Sequence, residues 1–166
     1  MAASVYLVGG VAVALSVRPG RYPSLDLDAI VSDRAVVDEA DAIATERGLP
    51  PGWLNSAAQP WLPPRPGAAC RRRTEPGLDV HLAPLEHLFA MKVIAFRDRD
   101  VDDIVDLGRA LDLAGASADR LAELVETVYE TPDALALAVG GPDSDVTSEL
   151  LIRCSRVSTL LDERVD

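Results

Sequence analysis

The segment SLDLDAIVSD, residues 24–33, places two aspartates, Asp26 and Asp28, two apart in an otherwise apolar run. In an extended strand, residues i and i+2 point to the same side. Both carboxylates then share one face, and Leu25, Leu27 and Ala29 share the other. Like charges about 7 Å apart repel each other, and burial sharpens the repulsion. A divalent cation seated above the pair reverses that repulsion. Mg2+ takes hard oxygen ligands and is usually held by one or two carboxylates plus substrate phosphates. The polar face of an exposed edge strand is the other arrangement that accommodates the two charges.

Outward from this segment the chain alternates strand and helix, then turns wholly helical. Residues 4–8 read as a short strand ending at Gly9-Gly10, and residues 11–17 as two helical turns stopped by Pro19-Gly20. Asp33 suits the N-cap of a helix over 34–47, with Gly48 as its stop. Residues 49–67 contain six prolines and read as loop, with one helical turn near 53–57. Strands over 69–73 and 78–83 flank Pro76-Gly77, and Pro84 opens a helix over 85–96. A further helix starts at Asp98 or Asp100 and ends near Leu113. Helices over 118–130, 133–139 and from Ser144 or Asp145 to 163 complete the chain. This order predicts an α+β fold: a small mixed sheet packed by helices, with a helical C-terminal part. Residues 1–113 form the core in this reading, and 114–166 a helical part of the same compact unit. A doubly wound nucleotide fold is excluded, because VGGVAVAL lacks the G-x-G-x-x-G spacing and no P-loop string occurs.

Composition narrows the function classes. Hydrophobic residues make up 48% of the 166, which fits a globular chain with a real core. Acidic residues outnumber basic ones 27 to 16, for a formal net charge of −11. That balance opposes general binding to polyanions or membrane surfaces, so any nucleic-acid partner needs a local basic patch. Arg71, Arg72 and Arg73 form such a cluster; a solvated strand edge explains them equally well. Cys70 and Cys154 have no metal-ligand spacing and read as free thiols of a reducing cytoplasm. The apolar stretch over 5–15 is too short to span a bilayer and has no basic flank of the signal-peptide kind.

Two glycines after a strand let the backbone approach a phosphate closely, and the following helix N-terminus offers it free N–H groups. A third carboxylate on a neighbouring strand would complete a two-metal site. Asp79 in GLDVHLA is the candidate, on the same face as His81.

A glycine pair after a strand, a short helix and then D-x-D on the next strand resembles the polymerase-β-like nucleotidyltransferases. The strings YLVGGVAVAL, SLDLDAIVS and PLEHLFAMKVIAFRDRDVDDIVDL, in that order, look like the AbiEii-type members. These are toxin halves of bacterial toxin–antitoxin pairs, the MenT toxins among them. The resemblance covers about residues 5–113. It implies that Gly9, Gly10 and Ser24 hold the nucleotide. It further implies that Asp26 and Asp28, with Asp79 as a third ligand, bind Mg2+ or Mn2+, and that Lys92 reaches the phosphates. Arg97, Asp100 and Asp103 would shape the rim of the site. Asp26, Asp28 and Lys92 are then the catalytic set. Val8 stands where many of these toxins have lysine, and Tyr22 where they often have arginine.

The implied activity is transfer of a nucleoside monophosphate from an NTP to a macromolecular acceptor, tRNA or another RNA, in the cytoplasm. A cognate antitoxin protein is the implied partner. The competing expectation is a catalytically silent module of the same fold that binds or regulates. Several residues also have plainer readings. Lys92 suits an apolar helix from which its ammonium reaches water. Asp102 suits a helix N-terminus. His81 and His87 read as ordinary surface or core histidines, and Trp53 and Trp61 as packing anchors of the proline-rich loop.

Overall fold

Strand β1 (Ala3–Leu7) has a partner on each side. It runs antiparallel to β2 (Leu27–Val31) and parallel to β5 (Leu78–Leu82). A two-residue strand, β3 (Leu54–Asn55), pairs parallel with β2, and β4 (Arg71–Glu75) pairs antiparallel with β5. The result is one mixed sheet in the order β3-β2-β1-β5-β4. The structure is a computed structural model and describes residues 3–18, 26–64, 71–75, 77–140 and 145–164.

Register follows the hydrophobic pattern. Val5 is level with Val31 and Val80, and Leu7 with Ala29 and Leu82. Val5, Leu7, Ala29 and Leu82 are buried, so this is the core face. The other face carries Ser4 level with Asp79, and Tyr6 level with Ile30 and His81. Because side chains alternate, a slip of one residue would turn Asp28 and His81 into the core; register is strongly specified here.

Helix α1 (Gly9–Val17) follows β1 directly and contacts β2. Helix α2 (Arg34–Arg47) starts and stops where the sequence predicts. Asp33 accepts a hydrogen bond from the Ala35 N–H at 2.9 Å, and Gly48 ends the helix in the left-handed region at φ 66°. The expected helical turn near 53–57 is instead β3, followed by a 3-10 turn over Gln59–Trp61. Leu27 N–H donates to the Trp53 carbonyl, and Trp53 Nε1 donates to the Ala40 carbonyl at 2.9 Å. Those pairings draw 54–55 into the sheet and override a local preference for helix. Trp53 is thus the packing anchor that the sequence suggests.

The remaining elements are α3 (Leu85–Ala95), α4 (Val101–Ala110), α5 (Ala118–Tyr129), α6 (Pro132–Val139) and α7 (Val146–Arg164), with a 3-10 turn over Asp98–Asp100 before α4. Ser117, Thr131 and Asp145 each accept a backbone N–H at the start of α5, α6 and α7. Contacts divide the chain into two units. The first is Met1–Gln59 with Gly67–Pro84, and the second is Pro60–Pro66 with Leu85–Asp166. Helices α3 and α4, grouped with the sheet in the sequence reading of residues 1–113, fall in the second unit. The fold is α+β, as expected. Among the described residues, no helix is long and apolar enough to cross a membrane.

Candidate functional site

In the sheet unit, the chain turns from β1 into α1 at Gly9, whose φ is +68°. L side chains rarely adopt that conformation, and here space also forbids one. A Cβ on Gly9 would lie 2.5 Å from Oδ2 and 3.0 Å from Cβ of Asp28. The backbone is held at the same point, because Val8 N–H donates to the Asp28 carbonyl at 3.0 Å. The Asp28 carboxylate therefore sits against the first residue of α1. Val8 is the N-cap residue and supplies no side-chain cap. Orphan N–H groups and the positive end of the helix dipole meet a carboxylate there.

Asp26 is exposed and lies at a bend just before β2, which begins at Leu27. The expectation that both aspartates lie on one strand therefore holds for Asp28 alone. Asp79 is placed differently from the predicted metal set. It is level with Ser4, whereas Asp28 is level with Val8. Four residues of β1 separate those levels, about 13 Å along the strand at ~3.3 Å per residue. Among the described residues, no three His, Cys, Asp or Glu side chains group to hold a metal. Ser24 lies outside the described residues, and Arg71, Arg72 and Arg73 lie on β4, where only the backbone is described.

In the helical unit, Lys92 near the end of α3 meets two carboxylates. Its Nζ pairs with Asp100 Oδ1 and, at 2.9 Å, with Asp103 Oδ2. The Lys92 side chain is 13% exposed, while Asp100 and Asp103 are 3% and 7% exposed. The three residues form a buried clamp tying α3 to the start of α4, whereas the resemblance implies a Lys92 directed at phosphates and the plainer reading an ammonium that reaches water. Asp102 pairs with Arg164 at 3.2 Å on the surface. Arg97 lies with its guanidinium carbon 4.5 Å from the centre of the Trp61 ring.

Other groups in this unit are structural. Arg153 on α7 donates to the Ile94 carbonyl, to the Val139 carbonyl at 3.4 Å and to Glu149 at 2.8 Å. It thereby satisfies orphan carbonyls at the ends of α3 and α6. Nothing in the sequence marks Arg153 for this beyond its i,i+4 spacing from Glu149. Burial pushes the Cys154 thiol up to about 12, with Glu126 adding to the shift, so it stays an inert thiol. Burial likewise raises the Tyr129 hydroxyl. Burial lowers His87, with Glu86 and Glu130 pulling the other way.

No protein-family model, curated protein or solved structure matches the chain.

Proposed function

We propose that the protein is a metal-dependent nucleotidyltransferase that moves a nucleoside monophosphate from an NTP to an RNA acceptor, as the toxin of a toxin–antitoxin pair. The observation that carries this reading is the Asp28 carboxylate seated at the Gly9 start of α1. That position combines a hard anionic oxygen with a helix N-terminus, the two features that a metal-bound phosphate needs together. In this reading the leading N–H groups of α1 bind the triphosphate, and the bare Cα of Gly9 makes room for the Asp28 carboxylate beside them. Asp26 and Asp28 would hold Mg2+, which would supply charge neutralisation at the phosphoryl oxygens. The acceptor hydroxyl gives up its proton to water, and its oxygen bonds to the α-phosphorus as the bond to pyrophosphate breaks.

A second reading rests on Asp79, whose register puts it far from Asp28. With Asp79 at another level of the sheet, the chain would act as a silent nucleotidyltransferase-fold module that binds a partner such as an antitoxin. Labelled NTP with Mg2+ and total RNA separates the two. Label transferred to RNA supports the enzyme; nucleotide binding with no transfer to RNA or to the protein itself supports the silent module.

A further inference from the structure

The stack of Arg97 on Trp61 has a chemistry of its own. The chain leaves α3 through Phe96, a non-glycine residue held at φ 37°. Such a conformation costs of order 1–3 kcal/mol and persists only where the surroundings enforce it. Arg97 comes next and lies over the Trp61 indole. Trp61 is fixed in turn, because its carbonyl accepts the hydroxyl of fully buried Tyr129 on α5 at 2.5 Å. Two residues on, Pro63 is also buried. Trp61, Arg97 and Tyr129 all belong to the helical unit.

A cation–π contact engages the face of a guanidinium and leaves its in-plane N–H donors open. Arg153 shows the opposite case, with its donors taken by two carbonyls and Glu149. Among the described residues, no carboxylate or carbonyl takes the Arg97 donors. An oriented, open guanidinium fork matches the oxygens of a phosphate two at a time.

We propose that Trp61 is a positioning residue that presents Arg97 to the polyphosphate chain of a nucleotide, with Tyr129 holding Trp61 in place. The proposal concerns the helical unit by itself and rests on the nucleotidyltransferase reading for its ligand class, a polyphosphate. Its test is calorimetric titration of the full chain with inorganic tripolyphosphate in low salt, without metal. Wild type should bind. Arg97→Ala and Trp61→Ala should each weaken binding about tenfold, the scale of one charge-assisted contact. Trp61→Phe keeps a ring face and should stay within about twofold of wild type. The double variant Trp61→Ala/Arg97→Ala should bind no more weakly than either single one, since both remove the same contact. Tyr129→Phe leaves ring and arginine intact and should weaken binding by a smaller factor; it carries the test if Trp61→Ala does not fold. A wild type that does not bind tripolyphosphate overturns the proposal. So does a folded Trp61→Ala, or in its absence a Tyr129→Phe, that binds as wild type does. NMP transfer by wild type, with tripolyphosphate binding indifferent to Trp61, would sink this proposal and leave the enzyme standing. Binding lost in Trp61→Ala with no transfer by wild type would do the reverse.

Discussion

Gly9 and Asp28 occupy space that admits only one side chain: a Cβ on Gly9 would stand 2.5 Å from the Asp28 Oδ2 atom. Gly9→Ala therefore meets two penalties, the left-handed φ of +68° and the displacement of Asp28. The first alone costs about 1–2 kcal/mol. The variant should melt roughly 2–8 °C lower, at ~2–4 °C per kcal/mol for a chain of this size. Any metal-dependent transfer should fall with it, because the carboxylate has moved. Thermal denaturation checks the first part; an unchanged midpoint would mean that Gly9 carries no constraint.

Lys92 is bound into its own unit before any ligand is considered. Removing the ammonium leaves the Asp100 and Asp103 carboxylates buried against each other. Lys92→Met should destabilise by about 3–5 kcal/mol, the range for breaking a buried pair from one side. Lys92→Met combined with Asp103→Asn should recover part of that loss, because one buried charge is gone. Urea unfolding of the three proteins measures this. A loss under 1 kcal/mol in the single variant would show the clamp to be decorative. Lost activity in Lys92→Met is therefore no proof of catalysis.

Gly108 on α4 packs directly against Leu161 on α7, where an added Cβ would lie 2.4 Å from Leu161 Cδ2 and 3.2 Å from Cδ1. Leu161 is buried, so turning its side chain moves the clash instead of removing it. Gly108→Ala should lose about 1–3 kcal/mol by overpacking, despite the better helix propensity of alanine. Gly108→Ala combined with Leu161→Ala relieves the clash and should show a coupling energy between the sites. Purely additive losses would contradict the close approach of the two helices.

His87 gives stability a pH slope. Its folded value lies below its usual one, chiefly through burial. The unfolded chain thus takes up the proton first as pH falls. This contribution is complete above the unfolded value, about 6.5, and is lost as pH drops through it toward the folded value. Between about pH 7 and pH 5, wild type should lose more stability than His87→Gln. Equal slopes in denaturant titrations at several pH values would rule this out.

The order of strands and helices was legible because each element carries a local signal. Asp33 and Gly48 bracket α2, Pro84 precedes α3, and Ser117 and Thr131 cap α5 and α6. The turn near 53–57 misled, because a two-residue strand is decided by pairing to Leu27 and by the Trp53 indole, both nonlocal. The Gly9–Asp28 approach is what the resemblance implies for a glycine pair followed by D-x-D. The distance of Asp79 from Asp28 does not, since register between β1 and β5 is invisible in either strand alone. Arg153 and the Trp61–Arg97 stack were equally hidden; each joins residues more than 30 positions from one of their partners.

The most direct test is transfer of label from NTP to RNA with Mg2+ by Asp28→Asn beside wild type, with melting followed in metal-free buffer. The variant keeps the side-chain shape and loses the charge. Wild type should be active, and the variant should fall roughly 100-fold or more, about 2.7 kcal/mol of barrier. Melting in metal-free buffer checks that the variant is folded, so that lost transfer reports on the site. Transfer by Asp28→Asn at the wild-type rate would contradict the account, as would a wild type that transfers no label with any of the four NTPs.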